Sequence, residues 1–257
     1  MTPKTLLFDI DGVLAISWQP VDGAARVISE AREAGHRLGF LTNTTSRPRA
    51  AIATQLDAIG IEVDETEVLT AATAAAEYLT ANRPKARCLL LNSGYLGEDF
   101  GDIDLVGSDE VPDVVVTGGA GPEISYELVN RAFRALMAGA ELVVMHRNWY
   151  WATVDGMQLD MGAFVVGLER AARVEGVLVG KPAPAFFEAA LRMVGGEASS
   201  SIMVGDDVES DVLGAQALGI EGVLVRTGKF SEDSLRAASG VPDHLVDSVA
   251  DLPALLG

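Results

Sequence analysis

Two carboxylates, Asp9 and Asp11, close the apolar run LLFDID, and Gly12 follows at once. A second acidic group, Asp206, Asp207 and Asp211, follows the run SIMVG; Lys181 follows VLVG, and Thr42 and Asn43 follow LGFL. Carboxylates, a hydroxyl and an ammonium at the ends of four apolar runs suit phosphoryl chemistry. Several acids brought together repel one another unless a cation sits among them, and an oxygen-only donor set favours Mg2+. Lysine and threonine beside such an ion cradle phosphoryl oxygens. One carboxylate can attack phosphorus and form an aspartyl-phosphate. A second, two residues along an extended strand, projects from the same face, where it can protonate the leaving oxygen and later activate water. Asp9 is thus the candidate nucleophile and Asp11 the candidate acid/base.

Other motif readings fail on spacing. An EF-hand needs glycine at loop position six, whereas Gly12 comes at position four and Pro20 occupies the twelfth place. GVLVGKP lacks the P-loop spacing, and Pro182 stands where Ser or Thr would bind Mg2+. VTGGAG has Ile124 in place of the third glycine of a dinucleotide fingerprint, so it reads as a tight turn before a helix. His36, His146 and His244 are scattered and support no hydrolase triad. The aromatic stretch NWYWATVDG, residues 148–156, reads first as hairpin or core packing and second as a pocket wall.

Strands and helices must alternate to carry these groups. The runs KTLLFDI, HRLGFLT, RCLLLN, DVVVTG, ELVVMH, GVLVGK, SIMVGD and GVLVRTG read as buried strands. Between them lie the helical patterns DGAARVISEAREAG, RPRAAIATQLDAIG, SYELVNRAFRALMAG, MGAFVVGLERAARV, PAFFEAALRMVG and SDVLGAQALG, several ending in Gly. Such alternation predicts an α/β fold with a mainly parallel sheet covered on both faces. In an open sheet of that kind ligands bind beyond the C-terminal strand ends, where the acids, Thr42 and Lys181 fall. The run ending in RTGK is less informative.

The 257 residues allow one large domain or two modest ones, and 49% hydrophobic content excludes a disordered chain. A net charge of −18, with four lysines, disfavours nucleic acid or an anionic membrane as partner, since both require a basic footprint. Apolar stretches too short for a membrane span or a signal-peptide core, together with Cys88 as the single cysteine, lead to the expectation of a cytoplasmic protein without disulfides.

The motifs DIDGV, LTNT, GKP and GDDVESD, in this order, resemble those of the haloacid dehalogenase superfamily of phosphatases. The resemblance implies Asp9 as nucleophile and Asp11 as acid/base, with Mg2+ held by Asp9, the Asp11 carbonyl and Asp206. It further implies phosphate binding by Thr42, Asn43 and Lys181, and orientation of the metal shell by Asp207 and Asp211. The 137 residues between Asn43 and Lys181 exceed one crossover. A long insert there resembles the α/β cap of the NagD- and nitrophenyl-phosphatase-like subgroup. GKPAPAFFEAAL, VRTGKF and SYELVNRAF look most similar to the branch that holds phospholysine phosphohistidine inorganic pyrophosphate phosphatase. Related caps often carry an acid in the turn after DVVVTG, but Gly118, Gly119, Ala120 and Gly121 provide none.

The expected architecture is therefore a doubly wound, Rossmann-like α/β core in two parts, 1–71 and 178–257, with a cap inserted at 72–177. The expected activity is Mg2+-dependent hydrolysis of a small phosphorylated metabolite. A phosphoacceptor that does not turn over and a phosphomutase are the rival readings. For assembly, the resemblance suggests a homodimer through the cap.

Overall fold

The computed structural model describes residues 3–107, 109–153 and 156–256, with the backbone alone for 151–153. The chain divides into two units: residues 1–42, 49–69 and 181–257 form one, and residues 43–48 and 70–180 the other. The second is thus inserted into the first.

The first unit is built on a six-stranded sheet of Thr5–Asp9, Arg37–Thr42, Val68–Thr70, Ser201–Gly205, Glu221–Val225 and His244–Val246. Numbered along the chain, these strands lie side by side in the order 3-2-1-4-5-6, the doubly wound dinucleotide-fold arrangement. The pairings of Thr5–Asp9 with both neighbours are parallel, as are those out to His244–Val246. Thr5–Asp9 is buried at every residue because helices cover both faces of the sheet. Leu6, Phe8 and Ile10 enter one cluster with Val27, Ile28, Ile52 and Leu56 from the helices Ala24–Glu33 and Arg49–Ala58. Phe8 and Phe40, opposite each other in register, have ring centroids 6.1 Å apart. Each such fully buried large side chain contributes about 1.5–3 kcal/mol.

The second unit has its own five-stranded parallel sheet, in the order Val177–Leu178, Glu141–Val144, Val114–Thr117, Arg87–Leu91, Asp104–Leu105. Helices Ala71–Asn82, Tyr126–Met137 and Met161–Ala172 supply its two apolar clusters. The turn after Val114–Thr117, which lacks an acid of its own, is served from a distance. Asp160 Oδ1 accepts from the Ala120 N–H at 2.9 Å and from the Met161 N–H at 2.8 Å.

The fold class read from the sequence stands: a doubly wound core interrupted by an α/β insert. All eight expected strands form, but one serves a different sheet. Val177–Leu178 pairs with Glu141–Val144 in the second unit, so Lys181 is not delivered by a core strand. It lies on the loop before the helix Pro184–Val194, which begins with Pro at its first turn and ends at Gly195 in the left-handed conformation. An apolar run reports burial, not which sheet buries it. Val68–Thr70 and His244–Val246, three residues each, carry too short a pattern to read. In the aromatic stretch, Tyr150–Thr153 and Gly156–Leu159 form an antiparallel hairpin, and Trp149 and Tyr150 are exposed. The Trp151 side chain and residues 154 and 155 lie outside the described residues.

Candidate active site

Strand order reverses between Thr5–Asp9 and Ser201–Gly205, which makes their C-terminal ends the switch point where an open α/β sheet binds ligands. Asp9 ends the first of these strands and Asp206 follows the second. Asp211 reaches them from the wide helical turn Val208–Leu213, whose first turn is capped by Asp207: Asp207 Oδ1 accepts from the Glu209 and Ser210 N–H groups at 3.1 and 3.0 Å. Asp207 in turn donates its backbone N–H to Asp211 Oδ2 at 3.1 Å.

Asp9, Asp206 and Asp211 are all buried, and each offers a carboxylate oxygen within 4.8 Å of those of the other two. Lys181, 4% exposed, bonds Asp9 Oδ1 at 2.5 Å and Asp211 Oδ1 at 2.7 Å. Burial pushes the Asp9 carboxyl well above its usual range; Lys181 opposes that rise, while Asp211, Asp206 and Asp11 add to it. Burial, then Asp211, pushes Asp206 up to about 7. Burial disfavours the Lys181 ammonium, but Asp211 and Asp9 more than offset it and raise its pKa. Thr42, buried at the end of Arg37–Thr42, donates its hydroxyl to Asp11 Oδ2 at 3.4 Å. The structure therefore brings Asp9, Asp11, Thr42, Lys181, Asp206 and Asp211 to neighbouring ends of one unit. Asn43, the next residue after Thr42, groups with the second unit.

The donor set suits a hard divalent cation. Three buried carboxylates oppose one buried ammonium, and Asp206 Oδ1 is buried with no hydrogen-bond partner among the described residues. Such an orphan is costly unless something else satisfies it. Gly12 permits the close approach: its φ is +94°, and a Cβ there would lie 1.9 Å from Asp206 Oδ2.

Sequence reasoning passed over one contributor, the loop after Glu221–Val225. Its Lys229 N–H donates to Asp206 Oδ2 at 2.7 Å, and the Thr227 hydroxyl donates to the Gly12 carbonyl at 2.5 Å. The Lys229 side chain keeps solvent access, yet the protein around its ammonium desolvates it; Asp9, Asp206, Asp211 and Asp207 outweigh that effect and raise its pKa. The strand-end rule pointed here as well, but RTGK carries no carboxylate.

Residues 6–105 match the family model described as haloacid dehalogenase-like hydrolase, and residues 178–252 match one described as HAD-hydrolase-like. The human haloacid dehalogenase-like hydrolase domain-containing protein 2 is 37% identical over 88% of this chain and 85% of its own length. The human phospholysine phosphohistidine inorganic pyrophosphate phosphatase is 34% identical over 98% of this chain and 94% of its own. Among solved structures, the p-nitrophenyl phosphatase from Archaeoglobus fulgidus superposes with a TM-score of 0.91 at 27% identity, covering 98% of this chain and 99% of that one. Identity at this level along most of both chains, on a shared fold, shows that the chain belongs to the haloacid dehalogenase-like hydrolases.

Proposed function

We propose that the chain is a Mg2+-dependent phosphatase that hydrolyses small phosphate esters and related phosphoryl compounds through an aspartyl-phosphate on Asp9. The observation that carries this reading is the gathering of the Asp9, Asp206 and Asp211 carboxylates at the switch point, with the Lys181 ammonium bonded to Asp9 and Asp211. The similarity to phospholysine phosphohistidine inorganic pyrophosphate phosphatase and to p-nitrophenyl phosphatase supports phosphoryl substrates.

Mg2+, held by the Asp9 and Asp206 carboxylates and the Asp11 carbonyl, would supply positive charge against the phosphoryl oxygens. Lys181 presents its ammonium to the same oxygens, and Asp211 keeps that ammonium in place. An Asp9 oxygen attacks phosphorus in line with the leaving oxygen. As the bond to that oxygen breaks, protonated Asp11 gives it a proton. Water then attacks the phosphorus of the aspartyl-phosphate and Asp11 takes its proton. The bond between Asp9 and phosphorus breaks, inorganic phosphate leaves, and both carboxyl groups return to their starting state. Thr42, through its bond to Asp11 Oδ2, orients the acid/base.

Phosphate release from p-nitrophenyl phosphate tests the reading. Chelation abolishes turnover of the purified chain and Mg2+ restores it. Asp9→Asn lowers turnover roughly 10^3-fold or more with an unchanged circular dichroism spectrum. Parental turnover by Asp9→Asn would rule out the nucleophile, and undiminished turnover in chelator would rule out the metal.

A further inference from the structure

The loop Arg226–Phe230 is braced independently of the acids. The Arg226 N–H donates to the Val246 carbonyl at 3.0 Å, its guanidinium lies 5.3 Å from the centre of the Phe230 ring, and the Phe230 N–H returns to the Thr227 carbonyl at 3.2 Å. From this base the loop meets Asp206 and Gly12 in three ways. The Lys229 N–H holds Asp206 Oδ2, and the Thr227 hydroxyl ties the loop to the Gly12 carbonyl. Gly228, with φ +61°, packs so closely that a Cβ would lie 1.9 Å from Asp206 Oδ2 and 2.5 Å from Gly12 Cα. Gly12 and Gly228 thus both crowd the oxygen that Lys229 holds, while the other oxygen, Oδ1, is buried and has no partner among the described residues.

We propose that Thr227, Gly228 and Lys229 form a carboxylate clamp, a positioning loop that fixes Asp206 through Oδ2 and so keeps Oδ1 free for a divalent cation. The inference rests on the metal reading above and adds the residues that orient one ligand. A carboxylate held through one oxygen cannot turn away from the site, so the ligand is set before the ion arrives. Partners that orient metal ligands in this way typically account for 10- to 100-fold in affinity. Thr227 acts at one remove, by locking the loop to the backbone next to Asp11.

Isothermal titration of Mg2+ into the purified full chain, without substrate, tests the clamp. Thr227→Val weakens Mg2+ binding by roughly 10-fold, and Thr227→Ser, which keeps the hydroxyl, binds as the parent does. Gly228→Ala weakens it by roughly 100-fold. Unfolding midpoints in chelator confirm that the variants compared are folded, and if Gly228→Ala does not fold, the Thr227 pair decides. Parental Mg2+ affinity in folded Thr227→Val, or failure of Thr227→Ser to restore affinity, overturns the clamp and leaves the metal reading standing. A parental chain that binds no Mg2+ overturns both.

Discussion

Asp206→Asn should make the metal-free protein more stable while removing its response to Mg2+. Asp206 is 2% exposed, and burial followed by the Asp211 charge raises its pKa from 3.8 to about 7. A carboxyl whose folded value is raised costs nothing below the unfolded value, where both states are protonated. The cost grows as pH rises from 3.8 and is complete above about 7. At about 1.36 kcal/mol per pH unit, that gap corresponds to about 4 kcal/mol. The amide removes the buried charge, still accepts the Lys229 N–H, and adds a donor among carboxylates. Its own desolvation trims the gain to about 2–3 kcal/mol. For a chain of this size the midpoint should rise by roughly 5–10 °C. The assay is thermal unfolding in chelator at about pH 8 and about pH 4, repeated with Mg2+ at the higher value. The variant should melt above the parent at high pH, and only the parent should gain from Mg2+. Its advantage should be lost near pH 4, where only the amide's own desolvation remains and it should melt at or slightly below the parent. A variant that melts at or below the parent in chelator at about pH 8 would refute the claim that Asp206 is a buried charge awaiting a cation.

Two further outcomes follow from the same geometry. Lys181→Met leaves Asp9 and Asp211 facing each other without the ammonium between them and should cost about 3–5 kcal/mol near neutral pH, read from urea unfolding in chelator. An unchanged midpoint would mean that the buried pair contributes nothing net. In the inserted unit, Asp160→Ala strips the acceptor shared by the Ala120 and Met161 N–H groups and should cost about 1–3 kcal/mol in thermal or urea unfolding. Hydrogen exchange at those two amides should quicken, and unchanged protection would show that Asp160 does not hold the turn.

Much of the core was legible because its strands are buried on both faces, so TLLFD and SIMVG appear as continuous apolar runs that stop where polar groups begin. The spacing of Asp9 and Asp11 and the cluster at 206–211 carried their chemistry in residue type alone. Lys181 was found for a partly mistaken reason: its apolar run belongs to the other unit's sheet, and the lysine reaches the core by a loop. Thr227–Lys229 escaped notice because the loop acts mainly through a backbone N–H, a hydroxyl and the absence of a side chain, which no chemical motif records.

The order of residues by itself determined the longer strands and helices, that they alternate, and which acids stand at strand ends, since hydrophobic periodicity and turn residues are local properties of the chain. The three-residue strands Val68–Thr70 and His244–Val246 were not among them. Only the tertiary structure decided that the strands lie in the order 3-2-1-4-5-6. That order sets ends nearly 200 residues apart side by side, and lateral strand order arises from packing between distant segments. The same packing crowds Gly12 and Gly228 against one oxygen of Asp206 and leaves the other unpartnered. Burial, a property of the whole fold, is what turns those acids from solvated charges into a site that favours a cation.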